Sequence, residues 1–169
     1  MSRWICIVLA LGTAILAVAC DQQGHFVEEA GLAKLSKGIS GESDVRMAMG
    51  QPDTVWEEED GTRTLEYPKG PAGHRTWMVA IDKNGKLQDY RQVLTEANFA
   101  NVKIGMSKEE VRRLLGKPRT IVRFTLKNEE VWDWRYQKSH AESRFFNVHF
   151  DIDSRQVTGT SSSDDAPGR

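Results

Sequence analysis

The chain has 169 residues, 39% hydrophobic and 28% charged, and its 23 basic and 24 acidic side chains leave a formal net charge of −1. That length suffices for one ordinary domain or two small ones packed together. The charge balance argues against nucleic acid as a partner, since phosphate binding draws on a clustered basic surface, and both cysteines, Cys6 and Cys20, lie near the start, so no disulfide framework staples the rest.

Residues 5–19, ICIVLALGTAILAVA, follow Arg3 as an uncharged apolar run. A bilayer core needs roughly 20 helical residues, so the run is short for a permanent anchor and has the length of a signal-peptide core. It ends in Ala17-Val18-Ala19-Cys20, followed by polar Asp21-Gln22-Gln23. This pattern resembles a bacterial lipobox, with Leu16 one place earlier than the usual leucine. The resemblance implies that residues 1–19 are removed, that the Cys20 thiol receives a diacylglycerol, and that the new amino terminus is acylated. A thioether also removes an unpaired thiol from an oxidising compartment, and three chains make attachment effectively permanent where one is marginal. Residues 20–26 read as a tether.

The first unit, 27–94, opens with a short amphipathic stretch, Val27–Ser36, expected to be helical. Val45, Ala48 and Met49 then fall at i, i+3, i+4 on one face. Gly50 and Pro52 end that helix, while Ser40 is a weak candidate cap because no Glu follows three residues on. Val55-Trp56 opens a strand, and Asp60-Gly61 is a strong hairpin turn. Leu65 and Tyr67 alternate, as do Trp77, Val79 and Ile81 after the Gly/Pro-rich loop 68–75. Asn84-Gly85 turns the chain again before Leu87.

The second unit, 95–158, repeats this order. Thr95–Val102 is expected to form a short helix. Ser107-Lys108-Glu109-Glu110 fits a capping box, and Val111, Leu114 and Leu115 occupy the places of Val45, Ala48 and Met49. Arg112 and Arg113 sit off that face, near the helix end, where cations suit the dipole. Gly116 and Pro118 match Gly50 and Pro52. Strands are expected over 121–126, over 131–136 with Trp132, Trp134 and Tyr136 on one face, and over 144–151 with Phe146, Val148 and Phe150 alternating. A polar loop is expected over 137–143, and Asp153-Ser154 turns into a last short strand near Val157. The stretch 159–169 lacks large apolar side chains and is expected to be a disordered tail. The fold class is therefore α+β: two tandem repeats, each with short helices followed by a three- to four-stranded antiparallel meander.

A helix ending V-x-x-x-L-G-x-P, a hairpin with an aromatic-x-aromatic strand, and a strand ending apolar-x-aromatic-Asp resemble the SmpA/OmlA, or BamE-like, lipoproteins, once over roughly 35–90 and again over roughly 101–157. The resemblance implies a periplasmic position beneath a lipid anchor, and an accessory role in outer-membrane β-barrel assembly with barrel-assembly components as partners. It favours the outer membrane, whereas Asp21 after the lipidated cysteine is the signal that keeps enteric lipoproteins in the inner membrane. The tandem arrangement is also similar to the β-lactamase inhibitor protein, which implies the alternative of an inhibitor or protein-binding module acting through a joined β-sheet.

Neither catalysis nor a cofactor is expected. His25, His74, His140 and His149 lack metal-ligand spacing, and Asp82-Lys83-Asn84-Gly85 reads as a hairpin turn rather than a calcium loop. No nucleophile motif occurs. Trp132, Trp134 and Tyr136 read as core. The candidates for partner contact are residues that burial does not explain: His74 and Arg75 on the 68–75 loop, and Phe145 and His149 on the face opposite Phe146, Val148 and Phe150. The expected assignment is a non-catalytic, lipid-anchored accessory protein whose lipidated residue is Cys20.

Overall fold

A computed structural model describes residues 31–70, 72–139 and 141–165. In chain order these form helix α1 (Glu42–Met49), strands β1 (Thr54–Glu57), β2 (Arg63–Pro68), β3 (Thr76–Ile81) and β4 (Leu87–Gln92), helices α2 (Glu96–Phe99) and α3 (Lys108–Leu115), and strands β5 (Thr120–Phe124), β6 (Glu129–Ser139), β7 (Glu142–Asp151) and β8 (Val157–Asp164). A 3-10 turn at Thr125–Lys127 joins β5 to β6. The strands make two separate antiparallel meanders, β1-β2-β3-β4 and β5-β6-β7-β8. A joined sheet, the surface on which the inhibitor alternative depended, is therefore not what the described residues form.

The repeat extends below the level of helices and strands. Tyr67 donates its hydroxyl to the Gly50 carbonyl (3.2 Å), and Trp134 donates Nε1 to the Gly116 carbonyl (3.1 Å). Each glycine closes its helix at positive φ, 84° and 77°, so its carbonyl leaves the helix and a ring on the following sheet satisfies it. Burial pushes the Tyr67 hydroxyl up to about 12, which keeps it protonated as a donor. The ladder of each sheet shifts register at the same place, between Ala80 and Ile81 in one and between His149 and Phe150 in the other. Each last strand is also tied to the residue before its own helix cap: Leu87 N–H donates to Ser40 O and Val157 N–H to Met106 O, both at 2.8 Å.

Each helix covers the inner face of its own sheet. Val45 and Met49 pack with Leu65, Tyr67, Val79, Ile81 and Leu87. Val111 and Leu115 pack with Trp132, Trp134, Phe146, Val148, Phe150 and Val157, and burying each such aliphatic side chain contributes about 1.5–3 kcal/mol. Phe99 of α2 stacks on Phe146 (4.2 Å between centroids) and meets Tyr136 edge-on (4.8 Å). The aromatic stripe of β6 is thus core, as its period of two suggests.

The α3 cap follows the sequence reading: Ser107 Oγ accepts from Glu110 N–H (3.2 Å), and Ser107 N–H donates to Glu110 Oε2 (2.7 Å). At α1 the cap is Gly41 rather than Ser40. The Asp44 carboxylate takes the Gly41 N–H (2.8 Å), while the Ser40 hydroxyl is spent on the Ser36 N–H (3.0 Å). Two expectations at the C-terminal end are overturned. The 137–143 loop is shorter, because β6 runs to Ser139 and β7 begins at Glu142. The expected tail from 159 instead begins with six residues of β8 up to Asp164. An edge strand needs a ladder more than a core stripe: β8 pairs with β7 from Phe150 to Arg144, and Ser161 and Ser163 accept from Asn147 (3.3 and 3.2 Å).

Candidate functional site: an inter-unit clasp and the outer faces

Helix α3 has two working faces. One carries Val111 and Leu115 into the second core; the other presses on the outer face of the first sheet. Alternation along β2 places Leu65 and Tyr67 inward and Glu66 outward, yet the Glu66 side chain is 0% exposed. Its carboxylate accepts from the Lys117 backbone N–H (2.7 Å), from Arg112 Nη2 (3.2 Å) and from Trp56 Nε1 (3.2 Å). Three donors compensate a charge that would otherwise be costly to bury. Arg112 Nη2 also donates to Asp53 Oδ2 (3.2 Å) and Thr54 Oγ1 (3.1 Å). Arg113 pairs with Glu58 (2.6 Å) with its guanidinium 4.7 Å from the Trp56 ring centre, and Lys117 Nζ pairs with Asp53 (2.7 Å). Burial works against the Asp53 charge, but Lys117, Thr54 and Arg112 together hold its carboxyl below the ordinary range. Gly116 lets side chains of the first sheet pack directly on its backbone: a Cβ would stand 2.6 Å from Thr76 Cγ2 and 3.3 Å from Glu66 Oε1.

A second acid, Glu130, is buried within the second unit. It accepts from Lys108 Nζ (2.8 Å), Arg123 Nε (2.5 Å) and Trp132 Nε1 (2.6 Å). Burial raises its pKa, but those three donors outweigh it and hold the carboxyl at about 2.

The candidate contact residues fall in two places. His74 Nε2 lies 3.0 Å from Ser143 Oγ on β7, and Arg135 Nη1 donates to the Ala72 carbonyl (2.9 Å). The 68–75 loop therefore straps the first unit to the end of the second sheet, and His74 and Arg75 line a cavity of about 510 Å³ with Leu94, Tyr136 and Lys138. Phe145 and His149 lie on the outer face of the second sheet, each half-buried. The Arg119 guanidinium covers Phe145 at 4.6 Å, and His149 is held between Glu129 (2.8 Å) and Ser161 (2.8 Å). His74 reaches the β7 face at Ser143, about 20 Å along the strand from His149, so the four residues do not make one cluster. Cys20 and His25 lie outside the described residues, as does His140.

Sequence reasoning missed the clasp itself. Glu66, Trp56 and Asp53 carried no motif, and Arg112 and Arg113 were accounted for by the helix dipole. A usable signal was present: two adjacent arginines off the core stripe of a helix, in a chain whose other unit offers Trp56 and four acids from Glu57 to Asp60.

Among the described residues no group of three or more His, Cys, Asp or Glu is placed to hold a metal ion. No helix there is long and apolar enough to cross a membrane. The arrangement defines a class: an α+β protein of two helix-and-meander units, clasped by ion pairs centred on the buried Glu66. Residues 92–159 match the family described as outer membrane protein assembly factor BamE domain, so the BamE likeness holds for the second unit. No curated protein matches the chain in sequence. Among solved structures it is similar to a putative β-lactamase inhibitor protein from Streptococcus mutans, with 12% identity, 85% of this chain and 99% of that one covered, and a TM-score of 0.32. A DUF4309 family protein from Bacillus subtilis gives 13% identity, 82% and 93% coverage, and a TM-score of 0.28. Likeness at that level carries no functional weight.

Proposed function

We propose that this chain is a lipid-tethered, non-catalytic adaptor on the periplasmic face of the bacterial envelope, serving the assembly of outer-membrane β-barrel proteins. The observation that carries the reading is the match of residues 92–159 to the assembly-factor domain. The lipobox-like sequence ending at Cys20 supports the tether. The shared ring-to-glycine bonds, register shifts and strand ties support taking residues 27–94 as a diverged first BamE-like repeat. Its outer face is given over to holding the second unit. The outer membrane is the destination the family favours, against the inner-membrane signal of Asp21.

The test is fractionation and capture in cells producing the protein. The wild-type chain takes up labelled fatty acid, sediments with membranes and co-purifies with barrel-assembly subunits after solubilisation. Cys20→Ala loses the label and the membrane association. Capture of a single periplasmic enzyme, with no assembly subunit, contradicts the proposal.

A further inference from the structure

We propose that the free edge of the second sheet, strand β5, receives an extended amphipathic strand from another polypeptide, with the chemistry of an outer-membrane β-strand before insertion. Among the described residues β5 pairs with β6 and with no other strand. Its outward backbone groups therefore form the kind of row that another strand can complement. Four of the large apolar side chains that the fold leaves exposed sit together here: Ile121, Val122, Phe124 and Leu126.

The first unit shows what a protected edge looks like at the same position. Pairing of Val55 with Leu65 and of Ile121 with Trp132 aligns β1 with β5, so Trp56 corresponds to Val122, Glu58 to Phe124 and Asp60 to Leu126. Strand β1 is only 4 residues long, Arg112 and Arg113 cover its Trp56, and acids follow it. Short length, charge and a covering element are the devices that blunt an edge. On β5 the covering helix is absent and Phe124 stands in the place of Glu58, while Leu126, in the 3-10 turn that follows, stands in the place of Asp60.

The two faces of β5 specify the occupant. Val122 and Phe124 point to the outer face, beside half-buried Val131 on β6. Arg123 points to the inner face, where it pairs with Glu130. A neighbouring strand thus meets Val122 and Phe124 along the outer face, and on the inner face Ile121 followed by the Arg123–Glu130 ion pair. That favours alternating apolar and polar residues, the pattern by which membrane β-strands are written over roughly ten residues. The choice of a membrane strand as the natural ligand rests on the assembly role proposed above; the edge and its alternation do not.

The full lipidated chain in nanodiscs, with empty nanodiscs as blank, is titrated against a fluorescent peptide of about ten residues. The peptide alternates Val, Leu or Tyr with Thr, Gln or Ser, and a shuffle of the same composition is the control. The comparison protein is Phe124→Glu/Leu126→Asp, which writes the first unit's acids onto the second edge at two exposed positions. We expect the double variant and the shuffled peptide each to weaken binding by about tenfold or more, with the thermal melt unchanged. Equal binding by the variant, equal binding of the shuffle, or no binding of the alternating peptide overturns the proposal. So does concentration-dependent dimerisation that the same substitutions abolish, which gives the edge to a second copy. The capture experiment is scored separately: loss of assembly subunits with strand binding intact removes the proposed role and leaves the edge as a strand receptor.

Discussion

The pair Arg112 and Glu66 offers the sharpest test of how the two units are held together. Glu66 is fully buried and Arg112 is 25% exposed, so the ion pair is shielded on one side and partly wetted on the other. Removing one partner of a fully buried pair costs about 3–5 kcal/mol. Arg112→Met falls below that range, because Glu66 keeps the Lys117 N–H and Trp56 Nε1, and we expect about 2 kcal/mol. Glu66→Gln keeps the shape but must present an amide N–H to one of three donors; with hydrogen bonds to charged groups contributing about 1.5–3 kcal/mol, we expect about 2–3 kcal/mol. The double variant should cost less than the sum, with a coupling of about 1–2 kcal/mol. Urea unfolding followed by tryptophan fluorescence reads all four proteins, since Trp56 and Trp77 report the first unit and Trp132 and Trp134 the second. Single-variant costs below about 0.5 kcal/mol with no coupling, the range of an ordinary surface change, would refute the clasp as an energetic link.

The glycines closing the two helices should respond differently to alanine. Both have positive φ, but only Gly116 has neighbours in the way, so Gly116→Ala should lower the melting temperature more than Gly50→Ala. Trp134→Phe and Tyr67→Phe each leave a glycine carbonyl without its ring donor. Tyr67→Phe, the closer isostere, should cost about 1 kcal/mol in chemical denaturation. Glu130 has a pKa near 2 against an ordinary 4.5, so its charge contributes stability above 4.5 that is lost as pH falls from there to about 2. That gap corresponds to roughly 3–3.5 kcal/mol as an upper limit, and the stability difference between wild type and Glu130→Gln should shrink over that acid window. A difference independent of pH would show that the Glu130 charge contributes nothing.

Much of the architecture is written locally and can be read there. Val45 and Val111, Gly50 and Gly116, Pro52 and Pro118, and the hairpin turns at Asp60-Gly61 and Asn84-Gly85 each specify a stripe, a stop or a reversal within a few residues. The clasp is different in kind. Glu66 alternates with Leu65 and Tyr67 as a solvent-facing residue would, and what buries it lies at Arg112 and Lys117, beyond the reach of local pattern. Residues 159–164 were missed for the converse reason: β8 is fixed largely by ladder bonds to β7, which small polar residues supply as well as apolar ones. Among the contact candidates, the placement of Phe145 and His149 opposite the core followed from period-two alternation. That His74 meets Ser143 depended on how the units pack.

Whether the chain is a tethered adaptor serving barrel assembly is decided by measuring folded outer-membrane β-barrel proteins in cells that lack it. Their level should fall, recover with the wild-type protein, and not recover with Cys20→Ala. Unchanged barrel levels, with a periplasmic enzyme activity altered instead, would contradict the adaptor role.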